Sequence, residues 1–379
     1  MTSSLPSTMK AVVIQHPLKT DFANLSIEER PVPRELGPTQ VLIKVKAVSL
    51  NARDAQIASG RYPAPIQVAA GIIAGSDAAG DVVAIGKDVS RVKIGDRVTP
   101  IFSQSFLRGQ YDPDYQKSGL GGGLDGVLSE YFWCSGLFLS IRLDSFLVLT
   151  GAPAEEGVVS IPKHLNYTEA CTSPIAGVTA WHCLYGHPGA SLSAGQTVLV
   201  LGTGGVSIIA AQIALASGCK VIATSSSDEK LARIKKLGVH ETINYRTHPE
   251  WEKEVIAKNG GRGVDHVIEI GGAGTLVRSI RSCQPGGNVW IVGYMSDYAP
   301  NGNQAQQQPE YAKEILYSQA VVRGVVCGSR DMFEDLNRCV EINKIEPVVD
   351  KVFPFEQTQE AYCYLDSGKH FGKVVISLE

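Results

Sequence analysis

Three glycines within four positions, Gly202, Gly204 and Gly205, interrupt the apolar run of VLVLGTGGVS (198–207). A strand that breaks into glycines and then into a helix makes a cradle for phosphate. Backbone N–H groups and the positive end of the helix dipole face the anion, and glycine lets it come close. The full spacing G-x-G-x-x-G would set a third glycine at 207, where this chain has Ser207. The first glycine makes the turn, the second admits a pyrophosphate and the third packs helix on strand, so only the packing role passes to serine. Its hydroxyl is expected to return to a carbonyl one turn back and to open the crossover slightly. Gly202, Gly204, Gly205 and Val206 are therefore the candidate phosphate contacts of a dinucleotide. A glycine turn that holds nothing is the plainer alternative.

An NAD site carries Asp or Glu at the end of the second strand, about 20 residues on, to accept from ribose hydroxyls. Here that place reads TSSS (224–227), with no acid. The hydroxyls of Ser225 and Ser226, with Lys230 one helical turn beyond, suit a 2′-phosphate. Tyr245 and Arg246, just after the next strand, are placed to close over the adenosine end. The expected cofactor is thus NADP(H). Ser226 and Glu229 also form an S-x-x-E capping box, which would leave Lys230 an ordinary solvated lysine, and Asp228 remains as an NAD-type acid.

The elements around this turn alternate between strand and helix. VLVLG leads into SIIAAQIALASG, which Gly218 stops, and KVIAT leads into SSDEKLARIKKLG, which ends at Gly238. ETINY, VDHVIEIG, NVWIVG and VVRGVVCG follow as further strands, so the segment reads as an α/β domain with a doubly wound parallel sheet of six strands. Before it, VLIKVKAVSLN (41–51) and AAGDVVAIG (78–86) alternate as strands, and KIGDRV (93–98) turns at Gly-Asp. After residue 334 short strands return in VVDKVFPF and KVVISLE, and the last of them is expected to rejoin the first module. The polar stretches at 108–126 and 296–310 are expected to shape a pocket.

Bulk properties narrow the partners. The 379 residues are 44% hydrophobic, enough for two domains, and carry a net charge of −3. No basic face is indicated, so neither nucleic acid nor membrane is expected as a partner. The start MTSSLPSTMK has no apolar core, and its first eight residues read as a frayed leader. Eight scattered cysteines without a C-x-x-C fit reduced thiols and a cytoplasmic location.

A β-rich module, a nucleotide domain and a return to the first module resemble the medium-chain dehydrogenases/reductases over almost the whole chain. AGSDAAGDVVAIGKDVSRVKIGDRV (74–98) resembles the family's N-terminal signature, and SGRYP (59–63), IAGVTAW (175–181), GTGGVS, INYR (243–246) and HFGKVVI (370–376) resemble its zinc-free, quinone-reductase-like branch. The resemblance implies a GroES-like β-rich catalytic domain, residues 1–164 with 335–379, and a Rossmann domain, residues 165–334. It also implies a homodimer, with VVRGVVCG pairing at the sheet's edge.

In the zinc members a Cys, a Gly-His-Glu stretch and a later Cys or Asp hold the catalytic metal. By the spacing of this chain those places hold Asn51, Ser76 and Asp77, which are poor zinc ligands, and the four-cysteine structural lobe is missing. No metal is expected, and adjacent His182 and Cys183 are expected to pack in a helix. Hydride transfer without zinc favours an acceptor that spreads its own charge: a conjugated enone or a quinone, with hydrogen-bond donors sufficing at the oxygen. The resemblance makes Asn51 an orienting amide and Tyr62 a donor or proton source, although Asn51 also suits a strand end and Tyr62 a packing place before Pro63. Asp54 and Asp77 would support them from behind. By family position Thr179 would lie near the nicotinamide, Gly293 would let the ring approach, and Phe371, Gly372 and Lys373 would close over the cofactor. A zinc-free ketone reductase or alcohol dehydrogenase, and a non-catalytic NADPH-binding protein, stay open.

One segment does not fit. CSGLFLSIRLDSFLVLTG (134–151) separates LSEYFW from EEGVVSIPKHL, which would join smoothly without it, and it is too short and interrupted for a membrane span. A pocket loop, a partner surface and translated intron sequence compete, with the last favoured.

Overall fold

The computed structural model describes residues 5–63, 68–134, 139–143, 146–150, 154–294 and 310–379. The chain divides into two compact units, Met1–Val178 with Ser329–Glu379, and Thr179–Gly328.

The second unit carries one six-stranded parallel sheet. From one edge to the other its strands are Glu241–Asn244, Lys220–Ser225, Thr197–Leu201, Val264–Glu269, Cys283–Ile291 and Val321–Gly324. In chain order that is 3-2-1-4-5-6, the arrangement in which the sheet reverses direction beside its first strand. The two central strands are buried on both faces, as near-continuous apolar runs such as TVLVL require. Leu199, Ile222, Ile243, Val267 and Val289 join neighbouring strands into one apolar cluster. The helices Gly205–Ala216 and Asp228–Lys236 stop where Gly218 and Gly238 adopt positive φ, at the places the sequence marks. The fifth strand starts earlier than NVWIVG suggests, because Cys283 already pairs with Val264 across a register shift.

The first unit is β-rich. Its larger sheet runs Val158–Ser160, Arg97–Pro100, Asp77–Ile85, Val41–Leu50, Lys373–Ser377, Val349–Pro354, and Tyr131–Cys134 also pairs with Val41–Leu50. The C-terminal strand does rejoin the first module: it lies antiparallel to Val41–Leu50, with Val374 opposite Leu50. This pairing sets residue 373 next to residue 51, although they are 322 positions apart in the chain. The stretch at 108–126 is not a slack loop. Its 3-10 turn Pro113–Ser118 is tied through Ser103 Oγ to the Tyr115 carbonyl at 2.6 Å, and Phe106 stacks on Tyr115.

Within the unexplained segment, Leu139–Leu143 and Phe146–Thr150 pair as an antiparallel hairpin that joins no other described strand. A lone two-stranded hairpin is marginal in water. The rest of that segment, and nearly all of the polar stretch at 296–310, lie outside the described residues. Among the described residues, no helix is long and apolar enough to cross a membrane.

Candidate functional site

The glycine turn of the second unit leaves open space beside its backbone. Gly202 ends the first strand at φ +70°, a conformation that side chains resist, and Gly204 then caps the helix Gly205–Ala216. No side chain caps that helix, so its first N–H groups keep the orphan character of a helix start. A Cβ added at Gly204 would meet nothing within 4 Å. Glycine at 204 is therefore not demanded by the protein's own packing.

Ser207 answers differently from expectation. Its hydroxyl donates to Leu201 O at 2.6 Å, the carbonyl that ends the strand, rather than to a helix carbonyl one turn back. The serine thus ties the helix to the strand it leaves, at the crossover it was expected to open.

The adenosine-side residues are split by burial. Thr224 and Ser225 are buried at the end of the second strand, and Ser225 Oγ accepts from Ser227 N at 3.3 Å. The helix cap is Ser227, accepting from Lys230 N at 3.3 Å, and not Ser226 in a box with Glu229. Ser226 is thus left outside the cap. Asp228 accepts from Asn244 Nδ2 at 2.7 Å. Tyr245 is 42% exposed, its N–H on the Ser225 carbonyl, and Arg246 is exposed beside it. Thr179 is buried near the start of helix Val178–Tyr185, as are His182 and Cys183 farther along it, with His182 Nδ1 2.5 Å from the Cys327 carbonyl. Gly293 stands two residues past the end of its strand, where a Cβ would lie 2.9 Å from Ile270 O.

The first unit gathers a different kind of site. Asn51 caps helix Ala52–Ala58, and its N–H donates to Asp54 Oδ2 at 2.8 Å. Its amide turns elsewhere: Nδ2 donates to Asp77 Oδ2 at 2.9 Å and Oδ1 accepts from Lys373 Nζ at 2.7 Å. Lys373 also donates to Leu50 O at 2.7 Å, and Asp77 Oδ2 accepts from Ile175 N at 3.2 Å. Beside this chain, Ser76 Oγ donates to Asp54 Oδ1 and accepts from Arg53 Nη1. Arg53 also reaches the Leu120 carbonyl at 2.9 Å. Its guanidinium carbon lies 4.7 Å from the Phe102 ring centre and 5.6 Å from that of Tyr62.

Two carboxylates and two cations therefore alternate through an amide and a hydroxyl. Burial pushes the Asp77 carboxyl up to about 7, against the pull of Lys373 and Asn51, with Asp54 adding to the rise. Burial lowers the Lys373 ammonium from its ordinary range, against the attraction of Asp77 and Asp54. It also drives the neighbouring Cys171 thiol well up, so that sulfur stays protonated.

The structure thus brings Asn51, Asp54, Asp77 and Ser76 together, with Tyr62 over Arg53. It places 371–373 in the interior of the first unit. Phe371 is buried, Gly372 at φ +87° has no room for a Cβ beside the Val348 carbonyl, and the Lys373 ammonium is engaged by Leu50 and Asn51. The physical reason is register: antiparallel pairing with Val41–Leu50 puts Lys373 against the acid cluster, where a buried cation has most to gain. Arg53 escaped the sequence reading. A lone cation in NARD, between an amide and an acid, was the available signal.

Comparison with known proteins agrees with this architecture. Residues 37–140 match the model of the alcohol dehydrogenase GroES-like domain and residues 205–341 that of the zinc-binding dehydrogenases. A zinc-type alcohol dehydrogenase-like protein of Schizosaccharomyces pombe is 40% identical over 97% of this chain and 99% of its own. An NADPH-dependent alkenal/one oxidoreductase of Arabidopsis thaliana is 28% identical over 99% of this chain and 81% of its own. A solved structure from Sinorhizobium meliloti 1021, proposed to be an alcohol dehydrogenase, superposes with a TM-score of 0.83 at 34% identity, covering 99% of this chain and 100% of that one. A GroES-like domain, a doubly wound nucleotide domain and relatives matched from end to end make this chain an oxidoreductase of the medium-chain dehydrogenase/reductase family.

Proposed function

We propose that the enzyme uses NADPH to reduce a conjugated enone or a quinone, and does so without zinc. One observation carries the reading: where the zinc members place their ligands, this chain has a hydrogen-bonded network holding two cations of its own. Asn51 is engaged by Lys373 and Asp77, and Ser76 by Arg53 and Asp54. An amide, a hydroxyl and one carboxylate are weak donors for zinc, and a divalent ion would sit against a guanidinium and an ammonium. Among the described residues, no three His, Cys, Asp or Glu side chains are grouped to hold a metal. Zinc does not fit this site.

A dinucleotide fits the glycine turn, where the open space beside Gly204 and the uncapped helix start suit a pyrophosphate. The hydroxyls of Ser225 and Ser226, with Lys230, Tyr245 and Arg246, would take the phosphorylated adenosine end. When bound, the cofactor supplies a hydride from its nicotinamide C4. Asn51 would offer an amide N–H to the substrate carbonyl oxygen, onto which the electron pair moves as hydride adds at the β-carbon. Tyr62, resting on the Arg53 cation, would hand its phenolic proton to that oxygen and recover one from solvent.

The substrate class is a small carbonyl compound whose charge delocalises. We further read the enzyme as a cytoplasmic homodimer. Among the described residues seven cysteines, five of them buried, are free thiols, and the edge strand Val321–Gly324 follows helix Tyr311–Ser318, whose Leu316 and Tyr317 are exposed. The test is turnover by the purified protein with NADPH and with NADH against enones, quinones, ketones and simple alcohols. Faster NADPH oxidation with enones or quinones supports the reading. A preference for NADH, or turnover of alcohols and ketones alone, refutes it, and cofactor binding without any turnover would mark a non-catalytic protein.

A further inference from the structure

Lys373 is 6% exposed, opens the last strand of its sheet and points its ammonium at the amide of Asn51. An ammonium has three donors and no acceptor, whereas an amide has one end of each kind. The amide oxygen must therefore face Lys373, and the amide nitrogen is left for Asp77 Oδ2. Two hydrogens sit on that nitrogen and Asp77 takes one of them. What Asn51 has left to offer is a single N–H donor. A substrate atom that meets it must be an acceptor.

Resting on the functional reading above, we propose that Lys373 is a positioning residue for the reduction: it clamps the Asn51 amide by its oxygen, so that the site presents a donor to the substrate oxygen as charge develops there. The second support of the lysine, the Leu50 carbonyl at 2.7 Å, fixes the ammonium independently of Asn51. The clamp is thus anchored to the sheet rather than to the side chain it orients. A donor preset in a buried site costs no reorganisation when the oxyanion forms.

Lys373→Met is expected to lower kcat for the enone or quinone by about tenfold or more, with the dissociation constant of NADPH unchanged. Asn51→Ala should cause a loss at least as large. In the Asn51→Ala background Lys373→Met should add little, because the lysine acts through the amide it no longer has. Lys373→Arg, also donor-only, should keep most of the rate. If Lys373→Met does not fold, Lys373→Gln makes the same test, since an amide facing an amide dictates neither orientation. Multiplicative losses in the double variant, a loss confined to NADPH affinity, or lower thermal stability with kcat unchanged would each overturn the role. A parent protein that turns over no enone or quinone refutes the functional reading and this role with it. A parent that does so, beside an unaffected Lys373→Met, refutes the role alone.

Discussion

The glycine turn of the second unit and the polar cluster of the first are opposite kinds of site. At the turn the protein withholds side chains: a Cβ at Gly204 would meet no atom, and the helix behind it has no capping side chain. In the cluster side chains hold one another, Asn51 between Asp77 and Lys373 and Ser76 between Asp54 and Arg53, with one Asn51 N–H left over. The first kind of site is made by backbone and leaves room for a large anion. The second is made by side chains brought from distant parts of the chain, and it holds one amide at a set angle. A substitution should therefore harm binding at the turn and rate at the cluster.

Gly204→Val should show the contrast most strongly. It fills space the protein does not use, so thermal stability should hardly change, while NADPH affinity falls by about 100-fold as the pyrophosphate loses its approach. A fluorescence titration alongside a melting curve checks both halves. Melting of the variant would mean that the turn serves packing instead.

Next in size is the pH dependence of the cluster. The folded chain holds the Asp77 proton up to about 7, whereas an unfolded carboxyl releases it at about 4. The stabilisation from this group is therefore complete below the lower value and is lost as pH rises through about 7. Lys373, lowered by burial, works in the other sense and loses its contribution as pH falls through its folded value. Asp77→Asn should remove the first slope: between about pH 5 and 8, urea midpoints of the parent should fall relative to those of the variant. Parallel curves would contradict the buried proton.

Two smaller effects sharpen the turn. Ser226→Asp puts a carboxylate at the end of the second strand, outside the cap that Ser227 forms, and should move the NADPH-to-NADH preference about tenfold toward NADH in a steady-state comparison. Ser207→Ala removes the bond to Leu201 O and should cost about 1 kcal/mol in denaturant melts, with cofactor affinity little changed.

The turn and its sheet were legible because the information is local. Strand, glycines and helix follow one another within 198–218, and apolar runs mark each buried strand. The site cluster was legible only in part. Asn51 and Asp77 could be singled out by resemblance, but nothing near residue 373 announces that it faces residue 51. That follows from the antiparallel pairing of Lys373–Ser377 with Val41–Leu50. Ser207 and Ser227 teach the same lesson at short range. The Ser207 hydroxyl was expected to meet a helix carbonyl and Ser226 to cap the next helix, yet where strand and helix end gives Ser207 the Leu201 carbonyl and passes the cap to Ser227.

The central claim is that hydride transfer here needs no metal. The direct measurement is the zinc content of the purified enzyme together with its rate of NADPH oxidation on an enone or quinone, before and after treatment with a strong chelator. Substoichiometric zinc and an unchanged rate are expected. One zinc per chain, whose removal abolishes turnover and whose return restores it, would contradict it.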